Sequence, residues 1–284
     1  MAETCSHLLA DAARRGALSL TDEGRTRIAG FVLAQQHADG GFRGRSSASD
    51  LYYTFFAIRA LNALGVALPV SPMAAHLRGF RRGEDLDFVH LACLACASGD
   101  VLPGERDEDV LGRLETFRVA EGGYSEKRGA VQPTAYGAFL AVLAYEAQGM
   151  PVPNREALAR SVASLTPNVT TAVAARVILL GALGIAPPAS VGKGLLARAA
   201  RGGGFRAAFL APMADLLSTA TALCALRALG QPLDGIREAG LDFVDSLWHD
   251  SGGFLGHALD LTPDCEYTYY ALLSLGVLAP DDPA

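Results

Sequence analysis

The sequence predicts an all-α chain in which six helical hairpins close into two concentric rings. Three observations carry that expectation. A glycine followed shortly by proline closes an apolar run six times. Several of the segments ahead of these marks are apolar on every face. A loop of two glycines and an aromatic residue recurs between helices.

The punctuation reads LGVALP (64–69), SGDVLP (98–103), QGMPVP (148–153), LGIAPP (183–188), LGQP (229–232) and LGVLAP (275–280). Glycine takes the left-handed conformation past a helix C-terminus, and a following proline blocks continuation. Helices are therefore expected to end at Gly65, Gly99, Gly149, Gly184, Gly230 and Gly276. The spacing is that of helical-hairpin repeats. It divides one domain, 1–284, into repeats at about 22–69, 70–103, 104–153, 154–188, 189–234 and 235–280.

Ahead of the marks, SDLYYTFFAIRALNALG, PTAYGAFLAVLAYEAQG, NVTTAVAARVILLGALG and ADLLSTATALCALRALG are hydrophobic almost all round, so they are expected to be buried on every side. These inner helices are placed near 50–64, 86–98, 134–148, 169–183, 214–229 and 264–275. Segments such as RDEDVLGRLETF and IREAGLDFVDSLW carry one apolar stripe and a polar face, as outer helices would. An open solenoid would show polar caps on its terminal repeats. The last inner segment, YTYYALLSLGVL, is as apolar as the first, which favours closure. The loops between outer and inner helices carry DGGF (39–42), EGGY (121–124), GGGF (202–205) and SGGF (251–254).

Composition agrees with a large buried fraction. Half of the 284 residues are hydrophobic, 19% are charged and the net charge is −6. Disorder does not fit such values, and a pI near 5.5 argues against nucleic acid as a partner. No apolar run is long enough to span a bilayer. The five cysteines and the absence of a secretory pattern suggest a reduced, cytoplasmic chain.

The glycine loops followed by inner helices resemble the prenyltransferase and squalene-cyclase repeat family. The β subunits of protein prenyltransferases are the nearest in character, the Rab geranylgeranyl type above all. The resemblance implies an α/α six-barrel, or toroid, holding an isoprenoid in an aromatic cavity. It also implies a zinc ion held by an Asp-x-Cys pair and a histidine. Asp215 occupies the aspartate position, but Leu217 stands for the cysteine and Tyr267 for the histidine. Leucine offers no ligand atom, so no metal and no cofactor are expected. Neither the basic residues that precede that aspartate in the family nor a DxDD acid motif is present.

What remains is a set of acids and aromatics at inner-helix starts. Asp50, Asp215 and Asp264 each begin an inner helix, and D-x-x-Y-T occurs at 50–54 and 264–268. Helix capping explains such aspartates one at a time. Converging on one apolar cavity, they are also candidate catalytic acids, because neighbouring carboxylates raise one another's pKa. Tyr52, Tyr53, Phe56, Tyr136, Tyr267 and Tyr270 are candidate substrate-binding residues whose ring faces would stabilise a carbocation. Cys93 and Cys96 read as small buried hydrophobes, while Asp215, His257 and Cys265 leave a relocated metal site open. The expected partner is a hydrophobic isoprenoid, with room for a protein partner over the barrel mouth. The alternatives are a non-catalytic binding or scaffold protein and a zinc-type prenyltransferase β-like subunit.

Overall fold

The computed structural model describes residues 3–80 and 82–280. Six inner helices form a closed ring: α3 (Leu51–Ala63), α5 (Phe88–Val101), α7 (Ala135–Ala147), α9 (Thr170–Ala182), α11 (Leu216–Ala228) and α13 (Cys265–Leu278). Each packs on the next, and α13 returns to α3. Around them lie α2 (Asp22–Ala34), α4 (Val70–Gly79), α6 (Glu108–Glu115), α8 (Arg155–Ser164), α10 (Ser190–Leu196) and α12 (Asp234–Asp245). An outer helix needs only one apolar stripe: Val110, Leu111 and Leu114 of α6 are buried, while Glu108 and Asp109 face water. An inner helix touches neighbours on both sides and the outer ring behind, hence its apolar composition.

The glycine loops are built alike. In three repeats the aromatic residue of the loop donates its backbone N–H to a threonine at the next inner helix: Phe42 to Thr54 (2.8 Å), Phe205 to Thr219 (2.9 Å) and Phe254 to Thr268 (3.3 Å). Each threonine hydroxyl in turn donates to the carbonyl of the aspartate four residues before it, at 2.7 Å. The D-x-x-x-T spacing is thus a latch between loop and helix. Two loops close as minimal antiparallel hairpins, β1 (Phe42–Arg43) with β2 (Ser49–Asp50) and β3 (Phe205–Arg206) with β4 (Ala214–Asp215). These short strands were not foreseen from the helical periodicity.

Two of the six expected helix ends need correction. Gly65, Gly149, Gly184 and Gly230 are left-handed and terminate helices as expected. Gly99 and Gly276 lie inside α5 and α13, which run on to Val101 and Leu278. They are there for close approach. A Cβ on Gly99 would sit 2.3 Å from the Ala147 carbonyl oxygen, and one on Gly276 only 1.7 Å from that of Ala12.

Ala12 belongs to an element that the repeat pattern does not contain, α1 (Cys5–Ser19). Its apolar side (Ala12, Ala13, Gly16) packs on the C-terminal half of α13. Its N-terminus reaches the C-terminal end of α7, where Glu146 accepts from the backbone N–H groups of Cys5 (3.1 Å) and Ser6 (2.8 Å). A carboxylate there satisfies free donors and complements the helix dipole. Helix α1 therefore crosses the C-terminal end of the inner ring and forms its floor. The mouth is at the other end, where the glycine loops lie.

Gly276→Ala should lower stability by about 1–3 kcal/mol, the usual effect of overpacking a tight contact. Gly181→Ala, where an added Cβ meets nothing within 4 Å, should hold or raise it. Denaturant midpoints of the two variants check this.

Candidate functional site

The ring encloses a cavity of ≈ 260 Å³ lined by residues of all six inner helices and by Ser6 and Leu9 of α1. Its walls are mostly hydrocarbon and aromatic. Tyr52 and Phe56 of α3, Tyr136 of α7, and Tyr269 and Tyr270 of α13 contribute rings. Phe56 touches Tyr52, Tyr269 and Tyr270 edge-on or tilted, with ring centroids 4.8, 5.9 and 5.4 Å away.

One register delivers side chains to the upper cavity. The residue two beyond each inner-helix N-cap is Tyr52 (cap Asp50), Val89 (cap Asp87), Tyr136 (cap Thr134), Thr171 (cap Val169) and Leu217 (cap Asp215), and all five line the cavity. In the sixth repeat that position is Glu266, two beyond Asp264. Glu266 is buried, and the Tyr52 hydroxyl donates to its Oε1 at 2.7 Å. Burial pushes its carboxyl up to about 7. The charge of Asp264 adds to this, while the Tyr52 hydrogen bond and Arg45 oppose it. Burial also raises the hydroxyls of Tyr52, Tyr136 and Tyr270, with Glu266 contributing in each case. Glu266 was not among the candidates read from the sequence. The signal that could have found it is the cap-plus-two register.

The three candidate aspartates all cap inner helices. Asp50 accepts from the Tyr52 N–H (2.7 Å), Asp215 from the Ser218 N–H (2.7 Å) and hydroxyl (2.8 Å), and Asp264 from the Tyr267 N–H (2.9 Å). Asp50 also lies 3.8 Å from His90. Asp264 is buried, and Arg45 clamps it through Nε at 2.9 Å while holding Asp260 through its other nitrogens. Burial raises the Asp264 carboxyl against the pull of that hydrogen bonding.

Of the six candidate binding aromatics, Tyr52, Phe56, Tyr136 and Tyr270 line the cavity. Tyr53 and Tyr267 turn toward the glycine loops. Each ring occupies the space that a side chain at Gly44 or Gly256 would need, and Arg45 stacks over Tyr267. All five cysteines are free and buried; Cys93 lines the cavity, and Cys265 is held out of solvent by packing.

Around the mouth the loops expose large apolar side chains: Val131, Phe209, Leu210 (96% exposed), Leu259 and Leu261 (87%). No helix among the described residues is long and apolar enough to cross a membrane.

The six helical hairpins close into a toroid around an aromatic cavity, with a buried acid near its mouth. The chain belongs to the prenyltransferase alpha-alpha toroid domain family, whose model matches residues 5–91 and 179–282. Among solved structures it is similar to a Candida albicans protein geranylgeranyltransferase-I complexed with GGPP. The identity is 11% and the TM-score 0.50, over 80% of this chain and 90% of that one. A type II terpene cyclase from Scytonema in its apo form aligns at 10% identity and TM-score 0.39, over 95% of this chain and 86% of that one. A comparison with curated proteins finds no match.

Glu266→Gln should stabilise the protein, and more at alkaline pH. A carboxyl raised from 4.5 to about 7 holds a proton in the folded state that the unfolded state releases. Stability is therefore lost as pH rises from about 4.5 to 7. The gain of the amide over the acid should be about 2–3 kcal/mol larger at pH 8 than at pH 5, which parallel urea melts can read.

Proposed function

We propose that the barrel takes up an isoprenoid chain and that Glu266 acts on it as a proton donor. The observation that carries this is the buried Glu266–Tyr52 pair beside an aromatic cavity. The GGPP described with the geranylgeranyltransferase is the kind of chain meant.

The protonated Glu266 gives its proton to one carbon of a chain double bond. The π pair becomes the new C–H bond, and the other carbon becomes a tertiary cation. The rings of Tyr52, Phe56, Tyr136 and Tyr270 face that charge. The Tyr52 hydroxyl, donating to Oε1, stabilises the carboxylate left behind. Loss of a proton from a neighbouring carbon back to this carboxylate closes the cycle. In this scheme Asp264 works through Glu266, holding its pKa up by like charge. Asp50 and Asp215 order the helix starts around the mouth.

A zinc-dependent transfer does not fit the residues present. Asp215 is engaged by Ser218, Leu217 has no donor atom, and the Tyr267 ring lies against Gly256. A second reading, a carrier without catalysis, is favoured by the capping bonds that occupy all three aspartates. The exposed leucines at the mouth suit a protein partner over the opening in either case. For a cytoplasmic protein such a partner would shield the chain from water.

Incubation with GGPP and with phosphate-free polyprenes in D₂O tests the proposal. The product should carry one solvent deuterium. Glu266→Gln should lower the rate about 10²–10⁴-fold, the usual range for removing a general acid. Activity should fall as pH rises through about 7, and this midpoint should move to lower pH in Asp264→Asn. Binding without conversion would leave the carrier reading.

A further inference from the structure

Deep in the cavity wall, among hydrocarbon side chains, sits an arginine. Arg59 is on α3, seven residues below Tyr52, which places it about 10 Å further from the mouth at 1.5 Å per residue. Its side chain is only 15% exposed, and as a cavity-lining residue it has the cavity beside it. Its Nε lies 3.3 Å from Asp100 Oδ2 on the last turn of α5. Cys96 is a further polar neighbour, and the guanidinium lies 5.3 Å from the centre of the Phe55 ring. Arginine carries five N–H donors in a fixed fork. Among the described residues no other acceptor meets them. Ser6 of the floor helix lines the same cavity, and its buried hydroxyl has no hydrogen-bond partner.

We propose that Arg59 and Ser6 form a polar subsite at the closed end of the cavity for a neutral oxygen at the inner end of a hydrophobic ligand. It rests on the reading of the barrel as the holder of an isoprenoid chain. The ligand class is a chain bearing a hydroxyl or carbonyl at the terminus that enters first. A neutral acceptor suits the site because Asp100 already balances the charge of Arg59, and a second buried carboxylate would leave one negative charge without a partner. A plain hydrocarbon end would strip water from the guanidinium and return no acceptor. The same pair also ties α3 to α5, and a purely structural role would make no distinction between ligands.

Calorimetric titration with the hydrocarbon farnesene and with farnesol, whose hydroxyl end can enter first, separates the two. The wild-type protein should bind the hydroxylated chain at least about tenfold more tightly, the low end for a hydrogen bond to a charged group. In Arg59→Met the preference should vanish, with farnesene bound as well as before or better. Because that variant leaves Asp100 buried alone, Arg59→Met/Asp100→Leu removes both charges together and should behave the same way. Equal affinities in the wild-type protein would overturn the subsite while leaving the isoprenoid reading intact. Binding of neither compound would overturn both. A preference that survives in either variant would also overturn it, since the oxygen would then be recognised elsewhere. The wild-type comparison decides even if neither variant folds.

Discussion

Helices that are apolar on every face cannot lie on a surface, and six of them can hide from water only by closing into a ring behind a second layer. The contact of α13 with α3 completes that ring. Without it, α3 and α13 would each expose a hydrophobic flank, and there would be no enclosed space. Closure has a geometric consequence. Six helices around a circle are too many to fill their own centre, so a cavity remains, and whatever side chains point inward become its walls. The cavity is a product of the repeat number rather than of any one residue.

Closure also sets which positions can carry chemistry. Every inner helix begins at the same end, and most begin with a side-chain cap: Asp50, Asp87, Thr134, Asp215 and Asp264. The cap and the threonine latch are therefore structural in their form, repeated because the repeat needs them. Two residues further on, the chain is free to vary, and there the repeats diverge into Tyr52, Val89, Tyr136, Thr171, Leu217 and Glu266. A buried acid costs stability, and Glu266 occupies the position where the fold makes no demand of its own. The polar groups around the cavity then divide by depth, with the Tyr52 hydroxyl and its partner Glu266 near the mouth and Arg59 toward the floor.

Much of this was legible in the sequence. The inner helices fall within about a turn of where the glycine–proline marks and apolar runs put them. The signal is strong because a left-handed glycine and a ring-buried helix both leave residue-level traces. Gly99 and Gly276 misled because glycine also serves close helix packing, which has the same one-letter trace. Helix α1 escaped because it belongs to no repeat: its small residues, Ala12, Ala13 and Gly16, read as unremarkable until α13 is beside them. At the site, Tyr52, Phe56, Tyr136 and Tyr270, expected from the sequence to bind substrate, line the cavity, and Tyr53 and Tyr267 face the loops. In a helix buried on all sides, periodicity does not separate the inward face from the others. Glu266 was hidden for a related reason. Its neighbour Asp264 caps the helix and so carries the conspicuous motif, while the buried acid that pairs with Tyr52 stands two places later.

The proposed chemistry depends on Glu266 holding a proton near pH 7 inside the barrel. Infrared difference spectroscopy across a pH titration measures this directly, with Glu266→Gln identifying the band. A protonated carboxyl stretch that is lost with a midpoint near 7, and is absent from the variant, is the result the structure predicts. A Glu266 carboxylate that stays ionised down to pH 5 would contradict it, and the cavity would then have no proton to give.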